Sequence, residues 1–325
     1  MSGELVVVGA SAGGVEALRA MVQGLPADLN AAILVVLHIP PGAPSALANI
    51  LARSGALPAR TAQDGERITL GHIYVAPSDR HMLVRERRIA LSSGPAENGH
   101  RPAIDPLFRS AAQYCGPRVI GVVLSGARDD GTAGLAAVVE RGGIPIVQDP
   151  DTALHRSMPC AAMENLAIEH VLPPAKIGRL VAELVMRDRA GPDLPADGLR
   201  AAETTVAELG TVADGRLWDR PAGLSCPSCH GAMFELDGAP SPRYRCRVGH
   251  AWSPESLLIA QRESVDATLW TALRALEEWA LLSRQLAGDP RDGGGFVDRH
   301  TARADVIDHA ADQVRRVLAQ IGDRE

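Results

Sequence analysis

The chain has 325 residues, of which 46% are hydrophobic and only 3% aromatic, and a net charge of −6. That length suggests roughly two or three units with an aliphatic core, and the acidic balance argues against non-specific nucleic-acid binding. No run of 18 apolar residues occurs and residues 1–4 lack the basic start of a signal segment, so neither a membrane span nor export is expected and the expected address is cytoplasmic.

In chain order, the first element is Leu5 to Val8, an apolar β-branched run. Gly9-Ala10-Ser11-Ala12-Gly13-Gly14 follows, and then Val15, Leu18, Met21 and Val22 at helical spacing. The pattern predicts strand, tight turn, helix. Gly9-x-Ser11-x-Gly13 has the spacing of a nucleophile elbow, in which flanking glycines expose one serine hydroxyl above a sheet. A dinucleotide fingerprint would want glycine at Ser11, and a P-loop would want lysine where Val15 stands. A purely structural turn is the remaining alternative.

Residues 5–9, 32–38, 119–125 and 144–148 read as short aliphatic strands, with helices expected over 14–24, 44–54, 105–115 and 131–141. Near-continuous apolar strands alternating with helices predict an α/β fold, a doubly wound, mostly parallel sheet in three layers. Ile73-Tyr74-Val75-Ala76 and Arg88-Ile89-Ala90-Leu91-Ser92 look like an antiparallel hairpin or an edge addition. A last strand is expected at 170–172 and a closing helix at 174–187.

Ligands bind such sheets outside the carboxyl ends of strands. Three strand ends there carry Ser11, His38 and the pair Asp129-Asp130. An alcohol, a base to take its proton and a carboxylate to orient the base are what nucleophilic acyl transfer needs. Taken singly, His38 could simply end a strand, and Asp130-Gly131 could be only a helix cap. The order Ser, His, Asp is not that of the α/β-hydrolases.

Residues 1–187 resemble the catalytic domain of the chemotaxis receptor methylesterases of CheB type. The segments that carry the resemblance are Val7–Leu18, Val35–Gly42, Ile73–Pro77, Val123–Gly134 and Gln148–Pro150. It implies a protein-glutamate methylesterase, often also a glutamine deamidase, acting on chemoreceptor helices. It places the nucleophile on Ser11, the base on His38 and the orienting carboxylate on Asp130, with Asp129 its neighbour. Backbone N–H groups near Ala12 and Gly13 are the candidates for holding an oxyanion. No metal or organic cofactor is expected for catalysis. The sequence departs from the family at Ala12, where threonine is common, and at Ala127-Arg128, where methionine and glycine are common. The elbow begins at residue 9, so a phospho-accepting receiver domain ahead of it, and control through it, are not expected here.

Beyond residue 187, Gly191-Pro192, Pro195, Asp197-Gly198, Asp214-Gly215 and Pro221 mark 188–222 as a linker or loosely docked connector, with a short helix at 199–209. Cys226-Pro227-Ser228-Cys229 and, sixteen residues later, Cys246-Arg247-Val248-Gly249-His250 then define a zinc-ribbon-like module over 223–253. Three thiolates and one imidazole suit a closed, structural tetrahedral Zn²⁺. His230 could exchange with His250, and Gly231 and Gly249 suit the knuckle backbones. A redox Cys-x-x-Cys leaves Cys246 and His250 unexplained. Cys115 and Cys160, the remaining two of five cysteines, are expected to be buried packing residues.

Residues 254–325 read as a helical hairpin. Ser253-Pro254 opens the first helix, which carries Val265, Leu269, Ala272, Leu276, Trp279 and Leu286. A Gly288–Gly295 break follows, and the second helix carries Ile307, Ala310, Val314, Val317 and Ile321. Its apolar faces suit either packing on the module or self-association and regulator capture, which exposed Trp270 or Trp279 would favour. The sequence therefore points to a serine methylesterase acting on a methylated chemoreceptor or receptor-like protein. The alternatives are another serine esterase or amidase, and a non-catalytic signalling scaffold.

Overall fold

The computed structural model describes residues 4–43, 45–187, 198–210, 220–236, 242–287 and 294–322. The first strands and helices run β1 (Glu4–Ala10), α1 (Gly14–Gln23), β2 (Ala31–Leu37), α2 (Leu47–Ser54), β3 (Ala59–Thr61), β4 (Ile73–Val75), β5 (His81–Arg85) and β6 (Arg88–Ser92). They continue with α3 (Ile104–Cys115), β7 (Val119–Val123), α4 (Thr132–Glu140), β8 (Ile144–Gln148), α5 (Ser157–Asn165), β9 (His170–Leu172) and α6 (Pro174–Val185).

Among the described residues, seven strands pair in parallel in the order β3-β4-β2-β1-β7-β8-β9. Every residue of β1, β2 and β7 is buried. This is why those segments are apolar throughout rather than alternating: each face is covered. Val6, Val8, Ile33 and Val35 pack on one face with α1, α2 and α6. Leu5, Val7, Leu34 and Val36 pack on the other with α3, α4 and α5. The fold class is thus the α/β arrangement expected. The chain leaves β1 in one direction toward β2 and returns on the other side at β7, so the crevice at the carboxyl ends of β2, β1 and β7 is the switch point of the sheet.

One pairing differs from expectation. Ile73–Val75 does not pair with residues 88–92; it enters the parallel sheet between β2 and β3. The antiparallel partner of Arg88–Ser92 is His81–Arg85, closed by Glu86 and Arg87 in left-handed conformations at φ 47° and 63°. A hairpin loop of two residues matches the twist of its strands only with positive φ, and a Glu-Arg pair carries no glycine signal for one. Cys115 and Cys160 are half-buried rather than buried.

The stretch marked as a linker contains α7 (Gly198–Leu209). Val206 and Ala207 are buried, Glu208 accepts from Arg85 at 2.8 Å, and its carbonyl accepts from Ser92. Gly191-Pro192, Pro195, Asp197 and Asp214-Gly215 lie outside the described residues. Next come β10 (Pro221–Ser225), β11 (Ala232–Leu236), β12 (Arg243–Cys246) and β13 (Ala251–Trp252), an antiparallel sheet in that order.

The chain divides into two compact units, residues 1–257 and 258–325. The Cys/His module belongs to the first. Helix α8 (Pro254–Ala287) begins there, with Ser253 Oγ accepting from Ser256 N–H as its cap. In the second unit, α8 and α9 (Gly294–Gly322) run antiparallel: Arg262 reaches the Ile321 carbonyl, Arg315 pairs with Glu277, and Arg284 with Asp308. The seam is Leu269, Leu273 and Leu276 against Ala311, Val314 and Leu318. Val265, Trp279, Leu286 and Val317, expected in that seam, are exposed instead. Two apolar stripes lie side by side on α8, and the partner helix covers the one with smaller side chains at Ala280 and Ser283. Trp270 and Trp279 are 57% and 52% exposed. The Gly288–Gly293 part of the loop lies outside the described residues. No helix among the described residues is long and apolar enough to cross a membrane.

Candidate active site

The turn after β1 is held from below by the β7 loop. Ser11 N–H donates to the Ser125 carbonyl at 2.9 Å, and Ser125 Oγ donates to the Ala12 carbonyl at 2.8 Å. Gly13 takes φ 72°, a left-handed conformation that opens α1. Gly126 is in close contact with the turn: a Cβ there would collide with Met158 and with the Ser11 side chain.

The three strand ends converge. His38 Nδ1 lies 3.1 Å from Ser11 Oγ, and His38 Nε2 lies 2.8 Å from Asp130 Oδ2. The His38 and Asp130 side chains are 5% and 1% exposed. An ionised carboxylate only accepts, so Nε2 carries the hydrogen toward Asp130 and Nδ1 is left to accept from the serine hydroxyl. Asp130 Oδ2 also accepts the Ile104 N–H at 2.7 Å, and Oδ1 accepts Asn98 Nδ2–H at 2.9 Å. Burial works to raise the Asp130 pKa. The hydrogen bond and charge of His38, with the Ile104 amide, outweigh it and hold the carboxyl well below the usual range. Asp129 points elsewhere, accepting from the hydroxyls of Ser253 and Ser256 at 2.8 and 2.7 Å. The local sequence Asp129-Asp130 does not distinguish these roles; the left-handed residues on either side of the pair, Arg128 at φ 64° and Gly131 at φ 98°, turn the backbone between them.

Sequence reasoning missed the loop 96–100. His100 stacks on His38, and Asn98 sits under Asp130. The only local signal is Asn98-Gly99, a turn pair with φ 52° and 80°, and nothing in it says that the turn faces the triad. Sequence reasoning also missed a buried charge cluster behind the loop. Glu97 pairs with Arg109, Arg243 and Arg245 at 2.9, 3.2 and 3.0 Å, and Glu203 pairs with Arg243 and Arg245. Burial opposes ionisation of Glu97, but the three guanidinium groups hold its carboxyl well below the usual range. Arg243 and Arg245 are buried in this cluster.

The ligand atoms of Cys226, Cys229, Cys246 and His250 all lie within 4.8 Å of one another. Cys229 and Cys246 sulfurs are 3.6 Å apart, and His250 Nδ1 is 3.7 and 3.5 Å from the Cys226 and Cys246 sulfurs. A tetrahedral Zn²⁺ with bonds of about 2.3 Å to sulfur and about 2.0 Å to nitrogen spaces its ligands by about 3.5–3.8 Å, so the donor set fits that ion. His250, not His230, joins the cluster. The left-handed position of the first knuckle is His230 at φ 58° rather than Gly231, and that of the second is Gly249 at φ 108°.

Comparison with known proteins bears on this geometry. The family model described as CheB methylesterase matches residues 6–181. A protein-glutamate methylesterase/protein-glutamine glutaminase 2 of Caulobacter vibrioides is 45% identical over 184 residues, covering 55% of this chain and 53% of that protein. Its namesake from Anaeromyxobacter dehalogenans is 41% identical over 181 residues, covering 56% and 53%. The chain thus spans about half the length of the curated relatives it matches. Among solved structures, the Thermotoga maritima CheB methylesterase catalytic domain is 35% identical with a TM-score of 0.55, covering 57% of this chain and 100% of that one.

Proposed function

Because the chain belongs to the CheB methylesterase family, we propose that its first 187 residues hydrolyse the methyl esters of glutamate side chains on a chemoreceptor or receptor-like signalling protein. The observation that carries this reading is the chain of contacts from Ser11 Oγ through His38 to Asp130, at 3.1 and 2.8 Å. Ser11 is the nucleophile, His38 the base and Asp130 the group that orients the imidazole and stabilises its charged form.

In this reading His38 Nδ1 takes the Ser11 proton as Oγ attacks the γ-carboxyl carbon. Ser11 N–H is already committed to Ser125, and Gly14 N–H to the Ser11 carbonyl at 2.9 Å. The amides between them, of Ala12 and Gly13, are therefore the donors assigned to the oxyanion. As the tetrahedral species collapses, the methoxide leaves with the proton from Nδ1 as methanol. Water then attacks the acyl-enzyme with His38 again as base, and glutamate is released. A glutamine side chain would follow the same path and lose ammonia.

Cys226, Cys229, Cys246 and His250 would hold a structural Zn²⁺ that takes no part in the chemistry. The exposure of Trp270 and Trp279 favours a protein-contact role for the second unit, and a cytoplasmic setting suits the substrate. The test is to incubate wild type and Ser11→Ala with receptor membranes carrying methyl-labelled glutamates and measure released methanol. Release by wild type alone supports the reading. Hydrolysis of generic esters without methanol release would instead assign another substrate, and absence of both would leave a non-catalytic scaffold.

A further inference from the structure

Asn98 uses its whole side-chain amide. One hydrogen goes to Asp130 Oδ1 at 2.9 Å and the other to Asp105 Oδ2 at 3.0 Å, while Oδ1 accepts the Ser253 N–H at 2.9 Å. The backbone donor on Ser253 fixes which end of the amide is oxygen, so both N–H bonds must face the carboxylates. Ser253 lies three residues after His250, a residue of the Cys/His cluster.

The rest of the loop is fastened from the same side. Asn98 N–H donates to the Ala251 carbonyl at 2.7 Å, and Ala251 N–H donates to the Ala96 carbonyl at 3.3 Å. Arg245 and Arg243 of β12 grip Glu97, and Arg245 also donates to the Gly249 carbonyl at 2.7 Å, inside the second knuckle. Trp252 packs beside Gly99. The loop that carries Asn98 to Asp130 and His100 to His38 is therefore clamped between the catalytic carboxylate and a turn bracketed by Cys246 and His250.

Resting on the hydrolase reading above, we propose that Asn98 is a positioning residue for Asp130, and that metal binding at Cys226, Cys229, Cys246 and His250 sets its position. Besides the cysteines, the described residues of the module's strands bury Met233, Phe234, Leu236, Ala251 and Trp252 as apolar core, a set small enough for a metal cross-link to supply folding energy. Without it, the 246–250 turn no longer places Ala251 and Ser253, Asn98 loses its acceptor contact, and Asp130 loses a donor. Asp130 is then held less firmly, and so is the Nε2–H tautomer of His38 that leaves Nδ1 to accept from Ser11. The titratable groups placed against His38 are Asp130, bonded to Nε2, and His100, stacked on its ring.

The test uses the full chain, ¹⁵N-labelled at histidine, as zinc-loaded protein, after chelation, and as zinc-loaded Asn98→Ala. In each sample the ring ¹⁵N shifts of His38 are followed by NMR, alongside zinc content and kcat and KM for p-nitrophenyl acetate. Chelation and Asn98→Ala should each move the His38 Nδ1 and Nε2 shifts toward one another, as the fixed Nε2–H tautomer is lost. Each should lower kcat by about tenfold with KM little changed. Returning Zn²⁺ should restore the chelated wild type, and chelation should add nothing to Asn98→Ala. Asn98→Ala leaves the Cys/His residues in place, so it tests the positioning role even where the stripped protein unfolds. Unmoved His38 ring shifts in Asn98→Ala, equal chelator effects with and without Asn98, or a chain that takes up no stoichiometric zinc would overturn the proposal. If no sample turns over ester while the His38 ring shifts still differ, the hydrolase reading fails and the coupling stands.

Discussion

The ring of His100 lies flat against that of His38, with centroids 3.7 Å apart and planes 12° apart. Burial, and after it the charge on His38, pushes His100 from 6.5 down to about 4, so it faces the His38 imidazole as a neutral ring at pH 7. A second shifted group lies nearby. Burial and the neighbouring Asp130 charge push Asp105 from 3.8 up to about 7.

These two shifts act on stability with opposite sign. Between pH 6.5 and 4 the unfolded chain protonates His100 more readily than the folded one, so that contribution is lost as pH falls. For Asp105 the folded chain holds the proton more tightly, so its contribution is complete below pH 3.8 and is lost as pH rises through 7. Relative to wild type, His100→Phe should gain stability as pH drops from 6.5 to 4.5. Asp105→Asn should gain it as pH rises from 4.5 to 7. Each change should be about 1–2 kcal/mol. Urea midpoints measured across that range check both, and parallel pH curves for the three proteins would contradict the assignment.

Asp130→Asn should lower kcat by about 10³–10⁴, because an amide facing Nε2 no longer fixes the hydrogen there. Asp129→Asn should stay within about threefold of wild type, since the hydroxyls of Ser253 and Ser256 can still donate to the amide oxygen. Methanol-release kinetics on the two variants separate the adjacent aspartates, of which the family resemblance singles out Asp130.

Gly126→Ala should cost about 1–3 kcal/mol and impair activity, because its methyl group meets Met158 and Ser11 together. Shortening the obstruction in Gly126→Ala/Met158→Ala should recover part of the stability and less of the activity. Thermal unfolding and ester turnover of the single and double variants test this.

Glu97→Ala should destabilise the first unit by about 3–5 kcal/mol, since it leaves Arg109, Arg243 and Arg245 buried with too little negative charge. Arg156→Ala breaks an ion pair whose side chains are 65% and 85% exposed and should leave stability unchanged. Denaturant unfolding of the two variants is the comparison.

In the second unit, Leu273→Asp should abolish the hairpin, because Leu273 is buried in a seam with few other apolar residues. Trp279→Ser should leave helicity intact. Far-UV circular dichroism and limited proteolysis of the full chain distinguish these outcomes.

How far the sequence reached differs by region. Strands β1, β2 and β7 were readable because they are buried on both faces and therefore apolar at every position. Their ends named Ser11, His38 and the Asp129-Asp130 pair for the same reason: in a parallel sheet the carboxyl ends share one edge. The pairing of Ile73–Val75 was not readable, since three apolar residues suit a parallel or an antiparallel neighbour equally. In α8 two heptad stripes overlap, and choosing between Trp279 and Leu273 as seam residues required the partner helix.

The sequence by itself determined the parallel α/β core, the serine, histidine and aspartates gathered at its switch point, and a Cys/His set with the spacing of a zinc site, because each depends on local periodicity or on short motifs. Only the tertiary structure decided that Asp129 turns to Ser253 and Ser256, that His100 covers the His38 imidazole, and that Arg243, Arg245 and Ser253 reach back to the loop beneath Asp130. Those contacts join residues up to 155 positions apart. A buried charge or amide finds its partners through the packing of whole elements, and leaves no periodic trace in the chain.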